Sequence, residues 1–136
     1  MVATNHEELF AWKLSAQLRD GIVVVTGHGR VARDFKFREQ IRESSASAAR
    51  NLSEGFYRFN PKEFAHFTSI ARSSLGETKN HLDDGLKRQY FSKEEFERLF
   101  NLASWAMATT TNLHKYLRSC VAKGKSWRPG CCELPD

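Results

Sequence analysis

Two groups of cations are the residues of this chain best suited to chemistry. Arg30, Arg33, Lys36, Arg38 and Arg42 crowd a stretch of thirteen positions. Lys115, Arg118, Lys123, Lys125 and Arg128 form a second run with no Asp or Glu between them and with Trp127 interleaved. Binding a nucleic-acid backbone takes several such cations, because each phosphate contact adds a counterion-release term. An aromatic among them can stack on an unpaired base. A solvated basic face is the plainer reading of the same pattern.

Other chemistry has less support. Ferritin-like di-metal bundles use two Glu-x-x-His pairs and two further inward carboxylates. Glu63 and His66 form the only such pair here, and Glu63 is drawn toward a helix cap. His6, His28, His66, His81 and His114 are scattered, and His81 and His114 fall at the edges of apolar arcs. The spacing therefore predicts no metal, and no cofactor is expected. Cys120, Cys131 and Cys132 are an odd set with no C-x-x-C, so no disulfide framework is visible and a reducing, cytoplasmic compartment is expected. Cys120 has no His base on its own face. No glycine-rich phosphate loop or nucleophile elbow occurs, and a non-enzymatic protein is expected.

The elements that carry these residues read as four helices. Thr4 and Glu7 suggest a capping box, followed by Phe10, Leu14, Leu18, Ile22 and Val25 at helical spacing. Gly27-His-Gly29 ends that helix, and residues 30–36 form a basic connector. Asp34 is the expected N-cap of a second helix reaching Gly55 or Arg58, with Gly55 suited to its last turn. Its apolar stripe is small-residue-rich: Phe37, Ile41, Ser44, Ala48, Leu52 and Gly55. Gln40, Ser47, Asn51 and Glu54 run beside it as a polar stripe. Asn60-Pro-Lys-Glu63 opens a third helix. Ser92 and Glu95 open a fourth as a second capping box.

Leu102, Trp105 and Tyr116 widen the apolar arc of the fourth helix to about 220°, whereas one face of a monomeric bundle needs little more than 100°. The surplus predicts self-association; the alternative is a place at the rim of the core. The fold expected is all-α: an antiparallel up-down-up-down four-helix bundle over residues 1–122, assembled into a ring-like homo-oligomer. Residues 123–136, with Gly124, Pro129, Gly130 and Pro135, read as a flexible basic tail. The 136 residues carry a net charge of +5 and a pI near 9.3. That modest excess permits RNA, DNA, an acidic protein or an anionic membrane surface as partner. No apolar run approaches the roughly 18 residues that span a bilayer, so no membrane association is expected.

The residues also resemble a known family. Gln40-Ile-Arg42, Ser47, Asn51-Leu-Ser-Glu-Gly55 and Arg58 are similar to the signature of the 23S ribosomal RNA intervening-sequence protein family. Phe64, Phe67, Ile70-Ala-Arg-Ser-Ser-Leu75 and Glu77 continue the likeness, and Trp12-Lys13 fits its opening. The match runs from Leu9 to Leu117. Ala48, Ser73 and Gly76 depart from the usual pattern, and Gly76 is expected to loosen its helix by about 1 kcal/mol. The resemblance implies a small bacterial helical bundle that forms rings, pentamers in particular. It implies an open reading frame tied to intervening sequences in ribosomal RNA genes, with no assigned catalytic residue. Accessory proteins of diversity-generating retroelements are related basic rings that bind nucleic acid and a reverse transcriptase. Hence RNA or DNA binding is the leading expectation, and a protein-interaction scaffold or accessory subunit is the alternative. Gln40, Asn51, Glu54, Arg72 and Glu77 are the family-type polar positions. They are expected to stitch the second helix to the third or to a neighbouring subunit, or else to touch a ligand.

Overall fold

The computed structural model describes residues 1–135; Asp136, the last residue of the expected tail, lies outside them. Four helices follow in order: α1 (Phe10–Val25), α2 (Phe35–Phe56), α3 (Pro61–Lys87) and α4 (Lys93–Ala122). Short 3-10 turns at His6–Glu8 and Arg30–Arg33 precede α1 and α2. α3 packs along α2 and α4, and α1 along the same two helices, which gives the up-down-up-down bundle.

The caps explain most of the boundaries. The Asp34 carboxylate accepts from the Phe37 N–H at 3.2 Å and starts α2. Asn60 accepts from the N–H groups of Lys62 and Glu63 and starts α3, with Pro61 at its first position. Ser92 and Glu95 close a full capping box on α4. The first expected box is different. Thr4 pairs with Glu8 rather than Glu7, and α1 begins at Phe10 without a side-chain cap. The intervening 3-10 turn sets this register.

One refinement and one correction concern residues near the chain reversals. Gly55 lies in the last turn of α2, as expected. An added Cβ there would sit 2.7 Å from the Phe64 ring and 2.8 Å from the Phe67 Cβ. Close approach of α3 is what requires glycine there. Residues 123–135 do not hang free. Trp127 and Leu134 are buried, Gly130 N–H donates to the Ala3 carbonyl, and Leu134 N–H donates to the Met1 carbonyl, each at 2.7 Å. Val2 and Glu133 form an antiparallel bridge. The segment lacks helical periodicity because it is anchored by a few side chains, not by a repeating face.

The core has two layers. Leu14, Leu18, Ile22, Phe37, Ile41, Leu82 and Leu99 fill the end near the α1–α2 connection. Leu9, Leu52, Phe56, Phe64, Leu117 and Trp127 fill the other. Trp127 stands 5.2 Å from Phe56 and 5.0 Å from Phe64 between ring centroids. Among the described residues no helix is long and apolar enough to cross a membrane.

Candidate nucleic-acid interface

The two basic groups lie at opposite ends of the bundle and have different fates. At the α1–α2 end, three of five cations are fasteners. Arg30 donates to the carbonyls of Arg88 (2.8 Å) and Gln89 (3.3 Å), and its guanidinium stands over the Tyr90 ring. Arg42 donates to Thr26 Oγ1 at 2.8 Å and to the Val23 carbonyl at 3.2 Å, closing the end of α1. Arg38 donates to the Ala32 carbonyl and covers the Phe35 ring. Carbonyls at helix ends lack intrahelical partners, so arginines there serve the fold. Arg33 and Lys36 are exposed and make no ion pair among the described residues.

Arg88 is a member of this end that sequence reasoning missed. It pairs with Asp84 at 3.1 Å and Asp34 at 3.3 Å. Asp34 also accepts from the Tyr90 hydroxyl at 2.6 Å. That bond, with the Phe37 N–H and the Arg88 charge, holds the Asp34 carboxyl below its usual range. No local motif announces this cluster, since its members are 54 and 56 positions apart.

At the other end, Lys115, Arg118, Lys123, Lys125 and Arg128 are all exposed and pair with no carboxylate among the described residues. Lys62 and His66, from the first turns of α3, join them. Lys62, His66, Ser69, His114 and Arg118 line a cleft of about 490 Å³ between α3 and α4. The sequence signal for His66 was only its place off the apolar arc. Trp127, by contrast, is core and offers no face to a base.

The expected polar network is arranged differently from its outline in sequence. α2 and α3 are joined by hydroxyl pairs, Ser44 to Thr78 and Ser47 to Ser74, each at 2.8 Å. Asn51 donates to Ser47 within its own helix. Glu54 pairs with Arg58, and Glu77 lies 3.5 Å from His81. Gln40 and Arg72 make no hydrogen bond or ion pair among the described residues, and Gln40 is exposed. Of the candidate interface residues, Leu102 and Tyr116 are half-buried against the core, while Trp105 is 55% exposed and touches Phe10 edge-on. Burial and the neighbouring Cys120 thiol push the Tyr116 phenol up to about 12.

A family model described as 23S rRNA-intervening sequence protein matches residues 7–111. The chain belongs to that family. The chain is similar in structure to a protein of unknown function of the S23 ribosomal protein family from Bacteroides thetaiotaomicron VPI-5482. The two share 20% identity and superpose with a TM-score of 0.71, over 77% of this chain and 95% of that one. At that identity the likeness shows the fold. No curated protein matches the chain. The family match takes in the α3 side of the cleft and stops before Lys115, so most of the unpaired cations lie beyond it.

Proposed function

We propose that this protein is a non-enzymatic, ring-forming helical bundle that binds RNA or DNA through a basic surface at the α3–α4 end. One observation carries the reading: Lys62 and Arg118 share a cleft, and with Lys115, Lys123, Lys125 and Arg128 they pair with no carboxylate among the described residues. Surface cations in a folded protein commonly find acidic neighbours, as Arg50, Arg58 and Lys87 do here. A group left unneutralised keeps its full field for an anionic polymer. Docking of residues 123–135 supports the reading further, because Trp127 and the hydrogen bonds to Met1 and Ala3 hold Lys123, Lys125 and Arg128 against the bundle instead of leaving them on a loose tail.

A homo-oligomer, pentameric by resemblance, would multiply this charge, with Leu102, Trp105 and Tyr116 at the contact. The kinship with retroelement accessory proteins rests on resemblance alone. The three free thiols fit the reducing cytoplasm. The test is a filter-binding titration of structured RNA and of DNA across salt. Affinity is expected to fall steeply as salt rises, and neutralising Lys123, Lys125 and Arg128 together should lower the slope of log affinity against log salt by about 2 to 3. Absence of binding at low salt would end the proposal.

A further inference from the structure

His114 sits in the α3–α4 cleft with one nitrogen committed and the other free. Its Nδ1 lies 3.1 Å from the Ala65 carbonyl and 3.0 Å from Thr68 Oγ1. The Thr68 hydroxyl already donates its proton to the same carbonyl at 2.7 Å. Both neighbours of Nδ1 can therefore only accept, so Nδ1 must carry the hydrogen. Thr68 is fully buried, which keeps this arrangement from being exchanged for water. The neutral ring is left with a lone pair on Nε2, which makes no hydrogen bond among the described residues, and His114 is only half-buried in the cleft. A histidine whose second nitrogen is fixed by a backbone carbonyl is an oriented group, ready to bind at the first.

The surroundings select the ligand. Facing His114 from α3 are Lys62 and His66, with the Ser69 hydroxyl; Arg118 stands one turn on along α4. Among the described residues no carboxylate lines this cleft. Glu63, which borders the adjoining one, lies 3.8 Å from Arg58. Two fixed cations, two imidazoles and a hydroxyl suit an oxyanion and repel a metal cation. The cleft falls in the size range of small-ligand sites, roughly 300–1,000 Å³. We infer that this cleft is a phosphate subsite, in which Arg118 and Lys62 supply charge and His114 Nε2, once protonated, donates a hydrogen bond to a phosphate oxygen. The inference deepens the proposed nucleic-acid reading and rests on it for the source of the phosphate. Protonation turns Nε2 from an acceptor into a charged donor.

The test uses the full chain and inorganic phosphate at low ionic strength, read by long-range proton–nitrogen spectra of the imidazoles. Neutral His114 is expected as the Nδ1–H form. Phosphate should shift its Nε2 resonance saturably. Arg118→Gln should weaken binding about tenfold, and His114→Gln should weaken it while folding normally. An Nε2–H tautomer, an unmoved His114 signal, or equal phosphate affinity in Arg118→Gln would overturn the assignment. RNA binding with an unmoved His114 would sink the subsite and leave the broader reading standing. Phosphate binding with no affinity for RNA or DNA would do the reverse.

Discussion

Gly76 and Gly85 lie nine positions apart on α3 and show how differently one residue type can be used. At Gly85 an added Cβ would collide with the Phe91 ring and reach 3.0 Å from Phe37. At Gly76 it would meet only the Met107 methyl at 3.6 Å, an ordinary contact. Gly85→Ala is thus expected to destabilise by about 1–3 kcal/mol through overpacking. Gly76→Ala should stabilise by about 0.5–1 kcal/mol through helix propensity. Urea unfolding of both variants checks the pair, and equal midpoints would refute the packing argument. Asp34 offers a residue-scale test of a different kind. Its folded carboxyl titrates below the unfolded one, chiefly because Tyr90 donates to it. The stabilisation is complete above the unfolded value of about 4 and is lost as the pH falls through the folded one. Tyr90→Phe should therefore melt below the parent by a constant margin near neutrality, and that margin should shrink below about pH 4. A margin independent of pH would show that the carboxylate is not involved.

For the elements, the helices and the last segment obey different rules. Each helix declares itself through a repeated apolar face, and α2, α3 and α4 also through caps written in adjacent residues. The segment after α4 has neither signal, yet Trp127 locks it between Phe56 and Phe64. A buried tryptophan contributes far more than its share of a short segment. Trp127→Ala is expected to cost about 3–5 kcal/mol by thermal or denaturant unfolding. A change under about 0.5 kcal/mol is what a free surface segment would give, and would mean that residues 123–135 are not docked in solution. The sequence placed Trp127 among cations and suggested a stacking surface; its burial depends on a gap between α2 and α3 that only their packing creates.

Of the large apolar side chains that the protomer leaves exposed, among them Val24, Phe35 and Phe59, Trp105 is the one that extends a helix's core-facing arc. Trp105 is 55% exposed on α4, beside half-buried Leu102 and Phe10 on the α1 side. A single exposed aromatic is ordinary, but here it extends an arc that the protomer's own core already uses on the opposite side. If this face joins copies, the native chain should run as a multimer by light scattering at micromolar concentration. Trp105→Glu should then reduce the mass to that of one protomer, about 15.6 kDa, without unfolding it. A native mass of one protomer would remove the ring and the multiplied charge together.

Periodicity and capping determined the four helices and their order, since those signals are local and each is written within a few positions. They also marked both basic groups and the absence of a complete di-metal motif. Tertiary structure decided what each charge is for. Arg30, Arg38 and Arg42 reach backbone carbonyls and became fasteners, whereas Lys62 and His66 met Arg118 and His114 across a cleft. The Arg30 contacts and the cleft join residues some 50 positions apart, where no local pattern constrains which side chains will face one another, and even Arg42 reaches back 19 positions to Val23. Burial of Trp127, glycine at position 55 and the hydroxyl links between α2 and α3 have the same origin. Each follows from how closely two helices approach, a distance set by packing of the whole core and not by the segment that carries the residue.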